Sequence, residues 1–292
     1  MKVRVAAKDL LDSSARQDWV DHGRRPYVKG DTAYIPVREG CAFDCELPDR
    51  APYSGRGYFM MGDVAVLHGR MPSDKEIKGI INFRHPKGIL LIHSLNDCTR
   101  TPDTKILYGE VGDVQHKENG FTYVLDPQRV MFAQGNREEK RRMAECVKRS
   151  GHPERVADMY AGIGYFTIPM AGSGAFVDAM EINPVAFEYL KKNIFINNLS
   201  DHVQASCGDC RNLLSGVYDR IVMGHFDSLP VLPLALRHVR QGGVIHLHSC
   251  GTIGSEIRSL LAGAGFSAEI HVHKVKKYRP HTWHMVWDIV VG

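Results

Sequence analysis

The stretch VADMYAGIGYFTIP, residues 156–169, passes from an apolar run into Asp158, then a glycine loop, then an amphipathic run. Gly162 and Gly164 let the chain turn tightly and bring backbone close to a ligand. Nineteen residues after Gly162 the next apolar run, AFVDAME, ends in Glu181, and a third ends in CGDC with Asp209. An acid placed as Glu181 is can accept hydrogen bonds from both hydroxyls of a ribose. An acid placed as Asp209 is can accept the exocyclic amine of an adenine. Taken singly these signals are weak, because many strand-to-helix turns carry glycines and many strand ends carry a solvated carboxylate. Together, Asp158, Gly162, Glu181 and Asp209 fall at strand ends along one edge of a sheet, which is far more specific. The loop is not the dinucleotide G-x-G-x-x-G, since Thr167 stands at the third position, and no Walker lysine motif occurs. The implied ligand is an adenosine compound with little phosphate, and S-adenosylmethionine (SAM) fits.

Other residues invite chemistry and have plainer explanations. Cys207 and Cys210 form a C-x-x-C pair, but no second pair with fitting spacing follows; Cys41 and Cys45 are C-x-x-x-C and distant. His246/His248 and His271/His273 alternate on strands, where packed or surface histidines are commoner than metal ligands. No metal is expected. The basic stretches GRRP 23–26, FRHPKG 83–88, REEKRR 137–142 and KVKKYRP 274–280 interleave cations with Tyr and Phe, which suits phosphate contact and base stacking. Each alone reads as a solvated face. Flanking a nucleoside site in both halves of the chain, they point to RNA.

The elements that must position these residues change character near residue 135. Before it, short β-like pieces such as TAYIPV, GILLIH and FTYVLD alternate with Gly, Pro and Asp turns. After it, apolar strands alternate with helical stretches, the signature of a parallel α/β sheet. Strands are expected at 155–159, 175–181, 203–208, 218–224 and 242–249. Helices are expected at 165–172, from Pro184, near 230–239 and at 253–263. In the bridge 133–151, Asn136 with Glu139 three residues on predicts a helix N-terminus. Two β-rich runs close the chain, split by a short Arg-Pro-His turn, and must therefore be antiparallel neighbours. A mostly parallel seven-stranded sheet with a terminal antiparallel hairpin is the class I SAM-methyltransferase-like arrangement. The expected division is a β-rich region 1–130 that grips RNA and a SAM-binding catalytic domain 131–292.

Bulk properties allow this. The 292 residues suffice for two domains, and 43% apolar with 24% charged residues is ordinary for a globular chain. The net charge of +4 permits a nucleic-acid partner. Seven cysteines, an odd and sparse set, read as reduced and intracellular. No run reaches a membrane span of ~18 apolar residues, and the N-terminus lacks the apolar core of a signal peptide. The expected location is the cytoplasm and the expected state a monomer.

Five segments, RVMFAQGNREEKRRM, VADMYAGIGYFTIPMA, EINPVAFEYLKKNIFINN, GDCR and DRIVMGHF…GGVIHLHS, together resemble the archaeal tRNA wybutosine-synthesis aminocarboxypropyltransferases. The similarity runs from about residue 105 to 292 and is much weaker over 1–100. A sister family, the tRNA guanosine N1-methyltransferases, shares the loop and the E-I-N-P strand end. It carries Asn-Leu-Pro where this chain has Met223-Gly224-His225, and tends to carry Pro-Arg-Leu where this chain has Gln134-Gly135-Asn136. Both departures favour the aminocarboxypropyltransferases. The resemblance implies transfer of the 3-amino-3-carboxypropyl group of SAM to C7 of 4-demethylwyosine in tRNA(Phe), beside the anticodon. It also implies SAM contacts from Ala133, Lys140, Glu181, Asp209 and Cys210, above a loop formed by Asp158, Tyr160 and Gly162. Lys140 is expected to pair with the SAM carboxylate. His225 and Asp227, by position, are the candidates to take the C7 proton. The alternatives are guanosine N1 methylation and a non-catalytic RNA-binding module; a fold kept only for binding would not need the acidic strand ends.

Overall fold

The computed structural model describes residues 1–14, 17–24, 26–48, 53–96 and 99–292. Arg25 of the first basic stretch and Cys98 lie outside the described residues. The chain divides into two compact units, Met1–Ser54 and Gly55–Gly292.

The first unit is a four-stranded antiparallel sheet. Its strands are β1 (Lys2–Ala7), β2 (Tyr27–Lys29), β3 (Thr32–Pro36) and β4 (Cys45–Glu46), in the order β2-β3-β1-β4, with a one-turn helix α1 (Leu11–Ser14) after β1. Strand periodicity of two puts Ala33 and Ile35 of β3 on one face, where they pack with Val20.

The second unit begins with β5 (Phe59–Met61), β6 (Val64–His68), helix α2 (Asp74–Arg84), β7 (Gly88–Asn96) and β8 (Thr101–Gly109). These strands form one sheet in sequence order, with β6 and β7 parallel across α2. Ser73 and Glu76 close a capping box at the start of α2. A hairpin of β9 (Val114–Glu118) and β10 (Phe121–Leu125) follows, then α3 (Arg137–Arg149). The main sheet is built from β11 (Arg155–Asp158), β12 (Phe176–Glu181), β13 (Val203–Cys207), β14 (Tyr218–Met223), β15 (Val239–Cys250), β16 (Ala268–Arg279) and β17 (Thr282–Val291). Between these strands lie α4 (Thr167–Ala171), α5 (Pro184–Ile196), α6 (Cys210–Leu213), α7 (Leu232–Leu236) and α8 (Gly254–Ala264). The strand order is β13-β12-β11-β14-β15-β17-β16. Pairs from β13 to β15 are parallel, while β17 runs antiparallel to both β15 and β16.

Three expectations need correction. The compact units divide after Ser54, not near residue 130. Met61, Val64, Leu90 and Ile92 of the upstream sheet share one apolar core with Tyr123 and Leu125 of the hairpin and Met143 of α3, so these elements belong with the main sheet. Asn136 precedes α3 but makes no side-chain cap, because a 3-10 turn over Gln134–Asn136 leads into the helix; Glu139 instead pairs with Arg142. The helices expected at 165–172 and 230–239 shorten to the five-residue α4 and α7. The helix start at Pro184 is found, with the Asn183 side chain accepting from the N–H groups of Val185 and Ala186.

Candidate active site

The strand order reverses between β11 and β14, and open α/β sheets bind ligands in the crevice at that point. Here the crevice opens into a cavity of about 500 Å³. Its walls come from the loops after β11, β12, β13 and β14, from the bridge before α3, from β16, and from β5, β6, β7 and the turn before β8.

Asp158 ends β11 fully buried. Its Oδ2 accepts from the Thr167 hydroxyl at 2.7 Å, and Oδ1 has no hydrogen-bond partner. Burial pushes its carboxyl up to about 6. Asp158 therefore ties the loop to the start of α4 from below and does not line the cavity. Gly162 takes a left-handed φ of 57°, and a Cβ there would collide with the Tyr165 ring. Its N–H donates to Glu181 Oε2 at 2.7 Å, while the Asn183 N–H donates to Oε1 at 2.7 Å. Glu181 is thus oriented by two backbone donors, and a carboxylate with about four acceptor sites keeps capacity for two hydroxyls. Burial raises its pKa from the ordinary carboxylate value.

Asp209 ends the loop after β13 and caps α6, accepting from the Arg211 N–H at 2.8 Å. The Arg211 side chain beside it holds its carboxyl below the ordinary value. Cys210 is buried and its thiol is pushed up by burial, so no reactive thiolate is present. Tyr160 stacks on His225, ring centroids 5.6 Å apart. Ala133, Tyr160, Gly162, Glu181, Asp209 and Cys210 all line the cavity, as does His225.

The structure places the other two expected residues elsewhere. Lys140 is 1% exposed and donates to Glu118 of β9 at 2.7 Å, with its ammonium 4.4 Å from the Phe132 ring centroid. Its charge is already neutralised by a buried acid that the hairpin supplies, and its side chain does not line the cavity. Asp227 points out, its side chain 90% exposed and 3.8 Å from His225 Nδ1, and it does not line the cavity. The Asp227 N–H donates to His225 Nδ1 at 3.2 Å, and burial lowers the His225 pKa. A neutral ring with Nδ1 accepting carries its proton on Nε2.

Several lining residues were not legible as such in the sequence. Lys276 sat within KVKKYRP, read there as an RNA-facing run, and Asn183 sat within EINP. Arg100 carried no signal, since it borders the cavity only through the turn before β8. His246 and His248 are structural, whereas His271 is exposed and His273 partly exposed. His246 is fully buried between Asp288 at 2.6 Å and Arg220 at 2.5 Å, and His248 pairs with His284 at 2.9 Å. Among the described residues no group of three or more His, Cys, Asp or Glu is arranged to hold a metal ion.

A profile of the TRM5/TYW2 methyltransferase domain matches residues 114–260. The tRNA(Phe) (4-demethylwyosine(37)-C(7)) aminocarboxypropyltransferase of Methanocaldococcus jannaschii is 36% identical over 80% of this chain and 97% of that protein. The chain belongs to the TRM5/TYW2 family. The enzyme of the same name from Pyrococcus horikoshii is 34% identical over 99% of this chain and 97% of its own length. The crystal structure of M. jannaschii TYW2 in complex with AdoMet superposes with a TM-score of 0.64, at 31% identity over 80% of this chain and 99% of that one. TRM5/TYW2 proteins share this methyltransferase-like α/β fold with mixed sheets, and the family is SAM-dependent. The cavity fits that donor. Glu181 keeps acceptor sites for a ribose, Gly162 leaves the loop clear of side chain, and Phe132 and Tyr165 give apolar walls.

Proposed function

We propose that this chain transfers the 3-amino-3-carboxypropyl group of SAM to C7 of 4-demethylwyosine at position 37 of tRNA(Phe), with 5′-methylthioadenosine as the by-product. The observation that carries this is similarity over nearly the whole length, 99% of the chain, to an enzyme named for that reaction. The acid-lined cavity at the sheet's reversal point supports it.

SAM supplies, when bound, an electrophilic carbon next to a sulfonium and a thioether leaving group. The chain's own work is orientation and exclusion of water. Glu181 takes the ribose hydroxyls. Asp209 takes the adenine amine, and Cys210 and Ala133 offer backbone contacts. Asp158 anchors the loop, and Gly162 lets it approach the ligand. The stacked Tyr160 and His225 form a flat wall for the incoming base. With Nδ1 held by the Asp227 N–H, His225 presents Nε2–H and so acts as a donor that orients the base; the C7 proton passes to water.

The basic run on β16 meets phosphates of the tRNA anticodon region. The first unit carries its own cation–aromatic pairs, Lys2 over Phe43 at 4.7 Å and Arg4 over Trp19 at 4.4 Å, of a kind that suits RNA. The enzyme acts as a cytoplasmic monomer. The test is nucleoside mass analysis of tRNA(Phe) carrying 4-demethylwyosine after incubation with SAM. One aminocarboxypropyl added to the tricyclic base is the expected product; an unchanged base would contradict the assignment.

A further inference from the structure

Two cations stand on the cavity wall, Lys276 from β16 and Arg100 from the turn before β8. Among the described residues neither forms an ion pair with a carboxylate. The acids of the same wall are otherwise engaged: Glu181 holds the Gly162 and Asn183 N–H groups, and Asp209 holds Arg211. Arg100 Nε is buried without a hydrogen-bond partner. Burial first, and the Arg100 charge second, depress the Lys276 ammonium, so the two cations of this lining oppose each other.

Space for the ammonium is built into the bridge. A Cβ on Gly135 would crowd the end of the Lys276 side chain, so the glycine leaves the ammonium room beside the bridge. Half-buried like charges of this kind are costly unless an anion joins them. Phe132, Tyr165 and Phe226 wall the same cavity, so an anion that enters it loses water and depends on the two cations for its compensation.

Resting on the function proposed above, we propose that Lys276, assisted by Arg100, binds the carboxylate of the SAM aminocarboxypropyl chain and so sets which sulfonium substituent faces the RNA. The role expected of Lys140 falls to a lysine on a different element.

Calorimetric titration of the full chain with SAM, and with 5′-methylthioadenosine that lacks the carboxylate, tests this. Lys276→Met weakens SAM binding about tenfold or more while 5′-methylthioadenosine binding stays within about twofold, as expected for one charge-assisted bond. Lys276→Arg restores most of the SAM affinity. Gly135→Ala keeps the charge but displaces the ammonium, and gives a smaller loss confined to SAM. Equal losses for both compounds, or none for SAM, would overturn the assignment. So would a loss of tRNA affinity with SAM affinity unchanged, which would assign the cations to RNA phosphates. A wild-type chain that binds neither compound would instead overturn the function itself.

Discussion

Lys140 and Lys276 are both drawn out of water, and their surroundings differ in one respect. Lys140 lies in the interior between α3 and β9, 1% exposed, with Glu118 at 2.7 Å. Lys276 lies on the cavity wall and has no acid partner among the described residues. The same contrast runs through larger groups. Behind the cavity, Arg220 pairs with Glu154, and Arg142 joins Glu139 to Asp288 and His246, so buried charges there are matched. At the cavity, Arg100 and Lys276 are left over. Charges that the fold completes for itself are structural, and charges it leaves incomplete mark where a ligand belongs.

Lys140→Met strands Glu118 in the interior, and unfolding by urea should show a loss of about 3–5 kcal/mol. If Lys140→Met instead kept full stability and selectively lost SAM affinity, the division between the two lysines would fail.

Asp158 gives the next largest effect, as a pH dependence. Its carboxyl rises in the fold to about 6 from an ordinary value of 3.8. The folded state therefore holds the proton more tightly than the unfolded one. Its contribution is fully present below about pH 4 and is lost as pH rises through about 6, roughly 3 kcal/mol in all. Asp158→Asn should flatten that part of the stability–pH curve measured by denaturation. A wild-type curve with no fall between pH 4 and 6 relative to Asn would contradict the assignment.

Glu181→Ala should weaken binding of SAM and of 5′-methylthioadenosine together, by about tenfold or more, since both carry the ribose whose hydroxyls it accepts. That shared loss is the counterpart of the SAM-only loss expected at Lys276, and direct titration separates the two. The smallest effect is expected at Asp227. Its exposed carboxylate lies outside the cavity and its backbone N–H, which orients His225, survives substitution. Asp227→Ala should keep turnover within about twofold of wild type; a hundredfold loss would return Asp227 to the chemistry.

Much of this site was legible in the residues. Glu181 and Asp209 could be placed because each ends an apolar run, and a parallel sheet brings such ends to one edge. The glycine loop could be placed because φ values such as 57° at Gly162 are open to glycine and strained for other residues. Partnerships across distant segments were not legible. Nothing local in REEKRR says that Lys140 turns inward to an acid on a separate hairpin, or that Arg142 reaches Asp288 of β17. Lys276 read as one of several solvated cations because strand alternation says which face it takes and not that a cavity lies there. The boundary near residue 130 misled for a related reason. The change from β-like to α/β texture is real, but the upstream sheet and hairpin bury their apolar faces in the same core as α3.

The most direct test of the account is transfer from two radiolabelled SAM samples, one labelled in the methyl group and one in the carboxyl carbon. The acceptors are tRNA(Phe) carrying 4-demethylwyosine and the same tRNA unmodified. Carboxyl label is expected to enter the modified tRNA, with release of 5′-methylthioadenosine. Methyl label entering the unmodified tRNA, with S-adenosylhomocysteine released, would contradict it and make this chain a guanosine N1-methyltransferase.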